Sequence, residues 1–102
     1  MQRFTGYRHN ISQRDSHAAQ MKNADDEPQY EGVIWSDGSC TIKWLTSVTS
    51  TSVFASFADF VTIHGHPEYG TEIVFHDGKV PLEWLDACAR WKLQRDHGLV
   101  LA

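Results

Sequence analysis

The residues best able to do chemistry sit in the stretch IHGHPEYGTEIVFHDG, Ile63 to Gly78, which carries His64, His66 and His76 with Glu68 between them. Imidazole and carboxylate groups can together ligate zinc or another divalent ion. The same spacing also fits the end of a helix. His64 would then lie in the last turn, where a cation suits the negative end of the dipole, and Gly65 would supply a left-handed cap. His66 and Pro67 would open the exit loop. The cap accounts for the spacing without a metal, and no group that would orient a ligand set stands out. The reading therefore assigns no metal, no cofactor and no catalytic residue.

A second chemistry is capture of an anion. Arg3, Arg8 and Arg14 fall in the first segment of an otherwise acidic chain, and a guanidinium presents a planar fork to phosphate. The hydroxyl-rich run TSVTSTS, Thr46 to Ser52, could supply further donors. Arg3, Arg8, Arg14, Ser50, Ser52 and His66 are the candidate ligand-binding residues. The plainer alternative is solvated surface charge beside a strand with one hydroxyl face. A third chemistry is protein contact. Asp25, Asp26 and Glu27 form an acidic cluster, and Trp84 and Trp91 fall on one helical face. These five are the candidate interface residues. The plainer reading of the tryptophans is core, and the alternative is anchors of a homodimer. No G-x-G-x-x-G, P-loop or G-x-S-x-G pattern occurs.

These side chains need elements to hold them. The chain has 102 residues, four of them tryptophan, with 12% aromatics, which suffices for one domain over 1–102 with a real core. Net charge is −4 and the pI is near 5.8, which disfavours binding along a nucleic-acid backbone. Only Cys40 and Cys88 are present. That is too sparse for a disulfide scaffold or a paired-cysteine zinc site, so both read as small core residues in a reducing cytoplasm. No apolar run is long enough to span a membrane.

QRFTGYRHNI reads as a first strand and residues 12–29 as a long polar loop. EGVIWSDGSCTIKWL reads as a hairpin turning at Asp37-Gly38. A type I′ turn there predicts that Trp35 faces Cys40 and Val33 faces Ile42, with Val33, Trp35, Cys40, Ile42 and Trp44 on the apolar face. A third strand follows near Thr51 to Ala55. Ser56 with Asp59 marks a helix start, and Phe57, Phe60 and Val61 form its apolar side. TEIVFHDG resumes a strand. A C-terminal helix spans about 81–97, with Pro81 in its first turn, Trp84, Cys88 and Trp91 on its stripe, and Leu82, Leu85 and Ala89 widening it. Gly98 would end it. The fold class is α+β: an antiparallel sheet of about four or five strands, covered on one face by a short helix and the C-terminal helix.

Tyr30 to Phe75 carries an E-G-V strand, S-D-G, W-L, an S-T-S strand, I-H-G-H and a closing T-x-I strand. In these marks the chain resembles a family of small, mostly uncharacterised proteins encoded by phages and prophages. Its long charged loop and its C-terminal helix look like departures from that pattern. Small size, this resemblance, the acidic charge and the lack of a catalytic motif together suggest a non-enzymatic phage accessory protein that antagonises a host defence system in the host cytosol. It would do so by binding a defence protein or by sequestering a nucleotide signal, as a monomer or homo-oligomer. The alternatives are a metal-dependent enzyme built on the His-Gly-His region, and a structural or regulatory interaction module without a defence target.

Overall fold

The computed structural model describes residues 1–9, 23, 24 and 26–97. Five strands form one antiparallel sheet: β1 (Gln2–Arg8), β2 (Tyr30–Ile34), β3 (Cys40–Trp44), β4 (Ser50–Phe54) and β5 (Thr71–Phe75). Their order is β4-β3-β2-β1-β5. Helices α1 (Phe57–His64) and α2 (Leu82–His97) complete the α+β fold expected from the sequence, and a short 3-10 turn at Pro67–Tyr69 leads into β5.

Alternation along each strand sorts the side chains. Phe4, Tyr30, Cys40, Ile42 and Ile73 point to one face and are buried there with Phe57, Phe60 and Val61 of α1 and Trp84 and Ala87 of α2. Aromatic rings dominate this cluster. Phe4 meets Phe57 edge-on at 5.4 Å, and Tyr30 meets Phe60 likewise at 5.4 Å. Such edge-on pairs add to the gain from area alone. The opposite face carries Arg3, Thr5, Glu31, Val33, Thr41, Lys43 and His76, which line an open concavity.

The hairpin turns where expected, but its register is shifted by one residue. Ile34 pairs with Cys40, Val33 with Thr41 and Gly32 with Ile42. The loop has three residues rather than two. Gly38 N–H donates to Trp35 O at 2.9 Å, Trp35 N–H donates to Ser39 O at 2.8 Å, and Gly38 takes φ +90°. This is a type I turn closed by a left-handed glycine bulge, which Asp-Gly supports as well as a type I′ turn. The Asp37 carboxylate fixes it by accepting from both the N–H and the hydroxyl of Ser39. Val33 and Trp35 therefore lie on the open face, and Tyr30, Gly32 and Ile34 replace them over the core.

Helix α1 starts as its sequence dictates, with the Ser56 hydroxyl accepting from Asp59 N–H at 3.1 Å. Its end differs. Gly65 is right-handed, at φ −61°, and the left-handed residues are His66 and Gly70. Glycine is needed at 65 for space. A Cβ there would lie 2.8 Å from the Trp91 ring and 2.5 Å from Val61 O. In α2 the inward side is Trp84, Ala87 and Trp91, whereas Leu82, Leu85, Cys88 and Ala89 are exposed. Cys88 is thus not a core thiol, while Cys40 is fully buried and burial pushes its thiol up to about 12. The wider α2 stripe expected from the sequence splits into two faces, because α1 covers only one side of the helix. Gly98 and the residues after it lie outside the described residues.

Candidate functional site

Arg8 ends β1 on the same side as Phe4 and Gly6, so alternation turns a cation toward the core face. Only 8% of it is exposed. Antiparallel pairing brings the start of β2, the end of β3 and the start of β4 to the same end of the sheet. The carboxyl end of α1 lies over them. The result is a pocket of about 290 Å³ lined by Arg8, Gln29, Trp44, Thr46, Ser50 and His64, together with Val48.

The guanidinium sits among three aromatic rings, 5.3 Å from Tyr69, 5.7 Å from Trp44 and 5.8 Å from Tyr30. Its Nη2 donates to His64 O at 3.0 Å, capping the negative end of α1. Its Nε is buried without a partner, and it forms no ion pair among the described residues. Burial pulls its pKa down, only partly opposed by Tyr30, Tyr69 and Glu68. A buried cation with aromatic faces and no ion-paired carboxylate among the described residues has the charge and geometry to accept an anion.

The pocket rim adds polar groups. His64 packs edge-on against Trp44 at 4.9 Å. Burial, then the nearby Arg8 and His66, hold its pKa below the usual histidine value. The unfolded chain therefore binds a proton that the native imidazole resists. Stability from this group is full above about pH 6.5 and is lost as pH falls below that value. Thermal melts should show a lower midpoint at pH 5.5 than at pH 7.5, and His64→Gln should flatten that slope. An unchanged slope in the variant would place the pH sensitivity elsewhere.

The remaining candidates are dispersed. Arg3 lies on the opposite face of the sheet from Arg8, since three and eight differ in parity. It is neutralised by Asp77 through Nε at 2.9 Å and Nη2 at 3.1 Å, and this guanidinium holds the Asp77 carboxyl down to about 2. Arg14 lies outside the described residues, so the three arginines form no common spot among those residues. Ser50 lines the Arg8 pocket. Ser52 sits on the core face and accepts from Trp44 Nε1 at 2.9 Å, fixing the indole. His66 stacks on Tyr69 and pairs with Glu68 at 2.9 Å.

His64 and His66 are neighbours, at 6.3 Å between rings. His76 is on the open face, where it bonds Thr5 Oγ1 at 2.7 Å. The three histidines thus share no site, and among the described residues no His, Cys, Asp and Glu group is placed to hold a metal. Asp26 and Glu27 are exposed just before β2, and Asp25 lies outside the described residues. Trp84 is buried within the chain, and Trp91 packs against Gly65. Trp44 and Gln29 are pocket residues that the sequence did not single out. The apolar Trp44 was assigned to the core face, and nothing local says that it also walls a pocket.

The hairpin, β4, α1 and β5 form a continuous block that holds most of the pocket wall. Residues 30–77 match the Acb5 phage protein family. The match covers just under half of the chain and supports a small phage-encoded protein, as the E-G-V, S-D-G and I-H-G-H marks led us to expect. No curated protein and no solved structure matches. The matched segment supplies Trp44, Thr46, Ser50 and His64. Arg8 comes from β1, and α2 follows the segment, so the cation and the last helix both lie outside the match. No described helix is long and apolar enough to cross a membrane.

Proposed function

We propose that this protein is a non-enzymatic phage accessory protein that antagonises a host defence system by sequestering a small anionic nucleotide signal. The family name supports the setting, because Acb denotes anti-CBASS. Arg8 supports the chemistry: a cation 8% exposed, with an unpartnered Nε, facing a pocket walled by Trp44 and rimmed by Ser50, Thr46 and His64. Phosphate would supply the missing negative charge. The indole would offer a stacking surface for a base, and the hydroxyls could meet further phosphate or sugar oxygens.

At about 290 Å³ the pocket suits part of a nucleotide rather than a large ligand. The test is a native mass spectrum of untreated protein, followed by titration with mono-, di- and cyclic nucleotides. Retained mass released on denaturation, or saturable micromolar binding, supports sequestration. A bare chain with no affinity across the panel overturns it. In that case the exposed Asp26 and Glu27 direct attention to the second reading, contact with a basic defence protein, recognisable by steep salt dependence.

A further inference from the structure

The outer face of α2 has no cover among the described residues. Leu82, Leu85 and Leu93 are 71%, 50% and 44% exposed. With Ala89 they recur at spacings of three, four and four, forming one stripe. That stripe lies opposite the side on which Trp84, Ala87 and Trp91 meet the core. An isolated exposed leucine is ordinary, but an aligned row of them on a 16-residue helix is a contact surface.

Charge along the helix identifies the occupant. The first half carries Glu83 and Asp86, and the second carries Arg90, Lys92 and Arg95 against Asp96. A second copy of α2 laid antiparallel sets the acidic half of each helix against the basic half of the other. A parallel copy would set like against like. Ala89, near the middle of the stripe, removes bulk where two such helices would cross, and lets their backbones approach. We infer that the outer face of α2 is an isologous interface that pairs two copies of this chain antiparallel. It uses Leu82, Leu85, Ala89 and Leu93, not the inward-facing Trp84 and Trp91. This is independent of the nucleotide pocket, which lies at the end of the sheet beyond α1.

The test is sedimentation equilibrium of the full chain, with Leu85→Glu as the disrupting variant. Wild type should be dimeric at micromolar concentration, and the dimer should weaken as salt rises, since opposite charges face each other. Leu85→Glu should raise the dissociation constant by about tenfold or more, while circular dichroism and tryptophan fluorescence stay those of wild type. A chain truncated after His97 separates the occupants. If it dimerises like wild type, the second copy is confirmed on this face. If the full chain is monomeric and only the truncated chain dimerises, the tail covers the stripe and the inference fails. A wild-type monomer in both forms, or a dimer tightened by salt, also overturns it.

Discussion

Replacing Arg8 by methionine should weaken the proposed nucleotide binding about a hundredfold while leaving the fold almost as stable as before. The two effects separate because Arg8 has two opposed roles. As a structural residue it caps His64 O, and losing that bond costs about 1 kcal/mol. It also carries a charge into a site where burial lowers its pKa, Glu68 opposes that shift only in part, and no carboxylate among the described residues forms an ion pair with it. Replacing a buried charged group by an apolar one of similar length is often neutral or stabilising. The net change in unfolding free energy should therefore stay within about 1 kcal/mol.

Binding has no such compensation. An anion in the pocket loses the Arg8 guanidinium in a poorly hydrated setting, which should weaken affinity by about a hundredfold, or roughly 3 kcal/mol. Calorimetric titration and chemical denaturation of the same variant check both halves. A large loss of stability with unchanged binding would make Arg8 a helix cap and nothing more. Arg8→Lys sharpens the result, because it keeps a charge but loses the planar fork. Its affinity should fall between the two.

Arg8 also shows what was legible in the sequence. Alternation alone places residues 3 and 8 on opposite faces of any regular strand, so the separation of Arg3 from Arg8 could have been read once β1 was recognised. That the even-numbered face is the buried one could not be, because it depends on pairing β1 with β2 and with β5, across long stretches of chain. Local signals fared better. Ser56 and Asp59 locate the start of α1, and Asp37-Gly38 locates the hairpin. The register of that hairpin was not local. A dipeptide compatible with two loop lengths leaves a one-residue choice, and the faces of Val33 and Ile34 turn on it. Gly65 failed for a similar reason. A glycine at a helix end signals a cap, yet here the distant Trp91 demands the space. The apolar residues of α2 could not be divided into a core face and an outer face without knowing where α1 lies.

Substituting alanine for Gly32 should be among the most damaging small changes in the chain. A Cβ at 32 would lie 2.2 Å and 2.3 Å from two carbons of the Phe4 ring and 2.9 Å from Ile42 Cδ1. Gly32 and Phe4 are cross-strand partners on the core face, and the ring lies over the glycine. Phe4 cannot yield, being 1% exposed and in ring contact with Tyr30, Phe57, Phe60 and Phe75. The neighbouring pair repeats the device in reverse: Gly6 faces Tyr30, and a Cβ there would lie 2.1 Å from two ring carbons. Overpacking of this kind costs about 3 kcal/mol or more, which outweighs the few tenths gained by restricting the unfolded chain. For a chain of this size the thermal midpoint should fall by about 10–20 °C. Gly78→Ala is the contrasting control, since its backbone is left-handed but nothing lies within 4 Å, so strain without collision should cost about 1 kcal/mol. Combining Gly32→Ala with Phe4→Leu identifies the cause. If the clash is with the ring, the double variant will be less damaged than the two singles added together. If the losses simply add, the glycine is required for its backbone and not for the ring above it.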